Sequence, residues 1–244
     1  MNEAPPESSP SAPQSASPKP VPPAWKTLNR LRLLAMWPVA LWVVVSADQP
    51  LLGLTQTWWQ LVIRLFGVLL VLKGSGLRLW AMGILLKHQQ LATGGPYAYT
   101  RNPLYLGTLA IWVGLMLASN WFAGLILAVP FTLFYFFIYN RQIDKEERKL
   151  VKVFGDPYQE YLRAVPRFWP RLRLARNLNG VSAPFGFRRM LKNRGPELVF
   201  AMLLAFAAMD LSAGVLWPVV RGTSSFTEAM AVHYGQLRML IGAP

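Results

Sequence analysis

The sequence contains no cysteine, two histidines and, within 244 residues, only 11 acids. Without cysteine there is no disulfide framework and no thiolate metal site, and two isolated histidines cannot complete a conventional zinc site. Charge is scarce altogether: 15% of the residues are charged while 53% are hydrophobic, too apolar a balance for an ordinary soluble domain of this length. Chemistry therefore falls to oxygen groups, guanidinium, backbone and a cofactor, and not to a metal. The shortage of acid leaves a formal net charge of +14, which by itself would suit nucleic acid. Its placement argues otherwise, because 14 of the 25 Lys and Arg lie between Arg141 and Arg194, just after an apolar span. That is the positive-inside pattern of a membrane protein, with attraction to anionic lipid headgroups as an accompaniment. No basic run carries a recognisable nucleic-acid reading module, so nucleic acid is not an expected partner.

Long apolar runs are what the chain does have. Residues 1–24 are rich in Pro, Ser and Ala and carry almost no large apolar side chain, which predicts a disordered tail. Leu31 to Ala47, preceded by Lys26, Arg30 and Arg32, reads as a first span. A cleaved signal peptide ending near Val45, Ser46 and Ala47 is the competing reading, disfavoured by the tail before it and the spans behind it. Trp58 to Leu86 exceeds one crossing and holds Gly74, Ser75 and Gly76, which suggests a helix that loosens or kinks there. Leu104 to Ser119 and Trp121 to Tyr139 form two further spans, joined so tightly at Ser119 and Asn120 that they must be antiparallel neighbours. After Tyr139 the spacing of Leu150, Phe154, Tyr158, Tyr161 and Leu162 predicts two short amphipathic helices, parted at Gly155 with Asp156 as cap and Pro157 in the first turn. Glu197 to Val220 is an additional apolar span. The fold class expected is all-α: a multi-pass transmembrane bundle with cytoplasmic amphipathic helices. Its divisions are a tail over 1–24, a four-span core with interfacial helices over 25–170, and a basic linker with a C-terminal span over 171–244.

Two clusters interrupt the apolar pattern. In LATGGPYAYTRNPLYLG, Leu91 to Gly107, Asn102 and Pro103 read as a helix start, placing Arg101 beside a positive helix end where a carboxylate or phosphate could sit. Helix caps, loop arginines and interfacial tyrosines are also ordinary equipment of a membrane hairpin. In the basic run after Tyr139, Glu146 and Glu147 stand side by side, either as a solvated face paired with Lys145, Arg148 and Lys149 or as an anionic corner. A cationic and an anionic corner in one region would suit a zwitterionic amino-acid group. Charge placement puts both on the cytoplasmic side.

The order of these motifs, Gly74-Ser75-Gly76, then GGPYAYTRNPLYLG, a short hairpin and EERKLVKVFGDPYQEYLRAVPRFWP, resembles the isoprenylcysteine carboxyl methyltransferase and phospholipid N-methyltransferase superfamily. The likeness covers roughly Lys73 to Pro170 and is nearly unbroken over both longer motifs. It implies an S-adenosylmethionine site lined by Tyr97, Arg101, Asn102, Pro103, Tyr105 and Gly107. It further implies that Glu146 and Glu147 hold the cofactor's amino group or ribose, and that Gly74 and Gly76 let backbone approach it. Arg101, Asn102 and Tyr105 are the implied catalytic set. Asn102 stands where many carboxyl methyltransferases of the family have His, which leaves the acceptor class open between carboxylate, amine and sulfur. Arg167 of VPRFWP matches a motif Arg, with a headgroup contact as its alternative. His88 reads as a bystander, and Asp210, an acid inside the last span, reads as paired with a base on another helix or exposed to water.

The expected protein is thus an enzyme of the bacterial inner membrane with its site facing the cytoplasm and a lipid-like or prenylated acceptor entering from the bilayer. An NADPH-dependent sterol-type reductase and a non-catalytic lipid-binding scaffold are the rival classes.

Overall fold

The computed structural model describes residues 37–47, 57–85, 90–170 and 184–240. The tail over 1–24, the start of the first predicted span, His88 and most of the basic linker lie outside them. All regular structure among the described residues is helical. A helix over 37–45 (α1) is followed by α2 (Trp58–Ile84), a 3-10 turn (Gly95–Ala98), α3 (Pro103–Ser119), α4 (Trp121–Phe154) and α5 (Asp156–Ala164). Then come α6 (Phe187–Lys192), α7 (Gly195–Leu211), which continues through a π-turn (Ser212–Leu216) into α8 (Trp217–Val220), and finally α9 (Phe226–Leu240).

Three of these helices are long and apolar enough to cross a bilayer: Trp58–Ile84, Trp121–Phe154 and Gly195–Val220. At about 1.5 Å per residue the 17-residue α3 falls a little short of a hydrocarbon core about 30 Å thick, yet it is as apolar as the others. Their outward faces carry Val62, Leu65, Phe66 and Leu69 on α2 and Phe122, Ile126, Val129, Leu133 and Phe137 on α4, all exposed. Such rows would be a liability in water and are the expected coat in lipid. By contrast, no residue of α3 is exposed, so α3 is the central helix.

Glycine sets the closeness of that centre. A Cβ on Gly74 would lie 2.6 Å from the Gly107 carbonyl, and one on Gly114 would lie 2.5 Å from the Gly67 carbonyl. Gly67 with Gly114 and Gly74 with Gly107 therefore let antiparallel α2 and α3 touch backbone to backbone, as small residues do in membrane interfaces. This also explains why the expected loosening at Gly74-Ser75-Gly76 does not occur. The helix runs unbroken because Gly74 is pressed against α3, and Gly76, with nothing near its missing Cβ, breaks nothing by itself.

The predicted division after Tyr139 is corrected as well. No Gly or Pro lies between Tyr139 and Phe154, and α4 continues as one helix of 34 residues. Only α5 is a separate amphipathic helix, and the residue between the two is Gly155 at φ 61°, while Asp156 already lies inside the first turn. The tight α3–α4 hairpin is as expected. Asn120 ends α3 and caps α4, its Oδ1 accepting from the Ala123 N–H at 3.0 Å. Asn120→Ala is expected to cost about 1 kcal/mol of stability, read as a lower midpoint in detergent denaturation, and Asn120→Ser to recover most of it.

In the C-terminal part, Asn193 donates to the carbonyls of Met82 and Leu85 at 2.8 and 3.1 Å, capping the end of α2. Asp210 meets His233 of α9 at 3.4 Å, so the acid in the last span is paired with a base on another helix.

Candidate active site

The site is built where the loop over residues 91–102, the start of α3, the far end of α4 and the chain after α5 converge. The loop owes its shape to Gly95, whose φ of 58° no L side chain adopts readily and whose missing Cβ faces Ile84. The turn that follows buries Pro96, Tyr97 and Ala98. Tyr161 of α5 donates to the Tyr97 carbonyl at 2.8 Å, so the YQEY segment holds the GPYAY segment by its backbone.

The VPRFWP segment holds the other end of the loop. The Arg101 N–H donates to the Pro166 carbonyl at 2.9 Å, and Thr100 Oγ1 and Asn102 Nδ2 both donate to the Arg167 carbonyl at 3.1 Å. Asn102 does precede α3 as predicted, but its side chain makes no cap bond to the helix. It is spent on Arg167, and Pro103 alone supplies the helix-start chemistry.

On α4, Gln142, Ile143, Glu146 and Glu147 fall one turn apart on the inward face. The adjacent glutamates, about 100° apart around the helix, meet different partners. Glu147, 9% exposed, receives Arg167 at 2.6 Å and lies 3.3 Å from Arg101. Arg167 also binds Asp144 at 2.6 Å, so this arginine turns inward and is not free for a headgroup. Burial would lower the Arg167 pKa, but its hydrogen bonds to Glu147 and Asp144 outweigh that and hold it above the usual guanidinium value. Among the described residues Glu146 meets no arginine. Its Oε1 accepts from the Tyr105 hydroxyl at 2.9 Å and from Gln142 Nε2 at 2.6 Å. Three carboxylates and two guanidiniums thus meet here, and among the described residues Glu146 is the carboxylate of the three that forms no ion pair.

Aromatic side chains wall the cluster. Tyr135 stacks on Tyr139 with ring centroids 4.2 Å apart and donates to the Tyr105 carbonyl at 2.9 Å. Burial raises the pKa of Tyr97, Tyr158 and Tyr161, so all three hydroxyls stay protonated at neutral pH. Beside Tyr97, Arg78 of α2 donates to the Leu104 carbonyl at 3.2 Å and to Thr108 Oγ1. An open cleft of about 410 Å³ reaches the cluster between α4 and α5, lined by Asp144, Glu147, Arg148, Val151, Lys152 and Leu162. That volume lies in the range of small-molecule sites.

Several polar atoms here are buried without a hydrogen-bond partner: Tyr97 Oη, Arg78 Nε, Arg101 Nε and Gln142 Oε1. Native interiors rarely leave such groups unsatisfied. With Glu147 Oε1, five of the eight such atoms among the described residues belong to this region, groups that a bound polar molecule could satisfy.

Of the residues predicted from sequence, Tyr97, Arg101, Asn102, Pro103, Tyr105, Glu146 and Glu147 share this region. Gly74 and Gly107 sit in the α2–α3 contact, where each one's missing Cβ is filled by the other's carbonyl, and Gly76 faces open space. Sequence reasoning passed over Gln142, Asp144 and Arg78. Gln142 had a signal, standing one helical turn before Glu146.

Comparison with known proteins agrees with this geometry. Residues 59–157 match the phospholipid methyltransferase family. The nickel-cobalt-cadmium resistance protein NccN of Alcaligenes xylosoxydans xylosoxydans is 32% identical over 197 residues, 78% of this chain and 88% of that protein. A protein-S-isoprenylcysteine O-methyltransferase of Schizosaccharomyces pombe is 35% identical over 80 residues, 33% of each chain. The chain belongs to the isoprenylcysteine and phospholipid methyltransferase superfamily. The cobalt-zinc-cadmium resistance protein CzcN of Cupriavidus metallidurans is 33% identical over 123 residues, and the match spans about half of each protein, 49% of this chain and 55% of that one. No solved structure matches. Like other members of this superfamily, the chain is a membrane protein, with helices long enough to span and apolar outward faces.

Proposed function

We propose that the chain is an integral membrane methyltransferase that takes its methyl group from S-adenosylmethionine and transfers it to a lipid-like or prenyl-like acceptor. The observation that carries this reading is Glu146, a carboxylate that accepts from Tyr105 and Gln142 and forms no ion pair among the described residues, set among buried donors and acceptors that lack partners. S-adenosylmethionine bears a sulfonium, an ammonium, hydroxyls and a carboxylate, a set of groups that these atoms complement.

Bound S-adenosylmethionine supplies a sulfonium methyl whose carbon–sulfur bond breaks, the electron pair passing to sulfur, as an acceptor lone pair forms the new bond. The protein's part is positioning and exclusion of water. Glu147 holds Arg101 and Arg167, which fixes the loop that begins α3. Glu146 faces the ligand. Gly74 and Gly107 act at a distance, by setting how closely α2 and α3 approach. An acceptor carboxylate needs no base, whereas an ammonium must first lose a proton, and the Tyr105 hydroxyl on Glu146 offers a route for it. The charge asymmetry of the chain supports a site on the cytoplasmic face, and a bacterial inner membrane is the membrane that suits this reading.

The reductase alternative is disfavoured by the same cluster, because NADPH brings phosphates to a place where Arg101 and Arg167 already face carboxylates, which leaves Arg148 and Lys152 at the cleft to meet them. Isothermal titration of detergent-purified protein with S-adenosylmethionine, S-adenosylhomocysteine and NADPH tests the reading. Saturable binding of the first two is expected. Binding of NADPH alone would support the reductase, and binding of none would leave the scaffold.

A further inference from the structure

Gln142 is 3% exposed, sits on the inward face of α4, and belongs to no motif that pointed to the site. Its amide orientation is fixed chemically. Nε2 lies 2.6 Å from Glu146 Oε1, and exchanging the amide atoms would press two acceptors together at that distance. The carbonyl Oε1 must then point away from Glu146, and there it is buried with no donor. A buried acceptor in this state costs stability unless something donates to it when the protein works. Glu146 is in a similar position. Both of its hydrogen bonds enter through Oε1, and Oε2 has no partner among the described residues.

We infer that Gln142 is a ligand-binding residue, its carbonyl forming with Glu146 Oε2 a pair of acceptors for N–H or O–H groups of the methyl donor. The inference rests on the proposed cofactor, and it narrows the role of the acidic pair. Glu147 faces the two arginines, its Oε2 accepting from Arg167 and its Oε1 lying 3.3 Å from Arg101, so the acceptor beside Glu146 is the amide one turn away. An amide also suits the charge balance. Gln donates to Glu146 through Nε2 and offers Oε1 as an acceptor without adding charge. Two sources of donor fit: the ammonium of the amino-acid portion and the hydroxyls of the ribose. Both ask for paired acceptors.

The test is calorimetric titration of wild type, Gln142→Met and Gln142→Glu with S-adenosylmethionine, S-adenosylhomocysteine and 5′-methylthioadenosine, the last lacking the amino-acid portion. Gln142→Met keeps the length and removes both polar atoms. It should weaken S-adenosylmethionine about tenfold, the effect of one lost hydrogen bond. If 5′-methylthioadenosine is weakened equally, the donor is on the nucleoside, and if it is spared, the donor is the ammonium. Gln142→Glu keeps an acceptor oxygen and can share a proton with Glu146, so it should bind within about threefold of wild type. Loss of binding in Gln142→Glu as severe as in Gln142→Met would show that the amide only props Glu146, which overturns the inference. So would unchanged affinity in a Gln142→Met protein with native helicity. If Gln142→Met does not fold, the Gln142→Glu comparison still decides. Failure of wild type to bind any of the three would remove the proposed function itself, an outcome separate from either.

Discussion

Glu147→Gln is expected to cost the protein both stability and cofactor binding, while Glu146→Gln is expected to cost binding alone. The two residues are adjacent and chemically identical, so the contrast comes from their partners. At Glu147 the substitution removes the charge that two guanidiniums face: Arg101, with a side chain 14% exposed, and Arg167, 31% exposed. Breaking such a partly buried pair from one side leaves cations without compensation, at a cost of about 3 kcal/mol. Arg167 keeps Asp144, which limits the loss. The released segment is the one that carries Arg101, Asn102 and the start of α3, so the proposed cofactor site loosens with it. Among the described residues Glu146 accepts from neutral donors, and a Gln in its place still accepts from Tyr105 and Gln142. Denaturation midpoints in detergent, measured beside S-adenosylmethionine titrations, separate the two variants. Equal midpoints for both would mean that the Arg101–Glu147–Arg167 triad does not hold the loop.

The second large effect is expected from glycine. Gly114→Ala places a methyl 2.5 Å from the Gly67 carbonyl and 2.8 Å from Val71, and Gly74→Ala places one 2.6 Å from the Gly107 carbonyl. Backbone cannot yield as a flexible side chain does, so α2 and α3 must separate. Overpacking costs about 1–3 kcal/mol per site, and here it falls on the central contact of the bundle. The double variant should give little folded protein on size exclusion in detergent. Gly76→Ala is the control, two residues away on the same helix with open space around it. It should be neutral or stabilising by up to about 1 kcal/mol, since Ala favours helix. A Gly114→Ala protein that melts with wild type would show that the helices are not in backbone contact.

Much of this protein was legible without coordinates. Composition and the apolar runs determine an all-α membrane chain, because only helices satisfy their own backbone groups in lipid over such segments. The Ser119-Asn120 junction determines an antiparallel hairpin, since so short a link permits nothing else. The two motifs determine the family and the neighbourhood of the site. The seven-residue spacing of Gly67 and Gly74, repeated in Gly107 and Gly114, was also readable, but only as a pattern without a partner.

Tertiary structure decided what depends on contacts between distant segments. Periodicity places Glu146 and Glu147 on one end of α4 but cannot say which of them meets an arginine. That is settled by Arg101 from the loop and Arg167 from beyond α5, which reach Glu147 and leave Glu146 to Tyr105 and Gln142. Asn102 looked like a helix cap because local chemistry allows it, and the Arg167 carbonyl claimed its amide instead. Gly74 looked like a place for a ligand, and the Gly107 backbone occupies it. A sequence fixes which bonds each side chain is able to make; which of them it makes depends on the donors and acceptors that folding brings within about 3 Å.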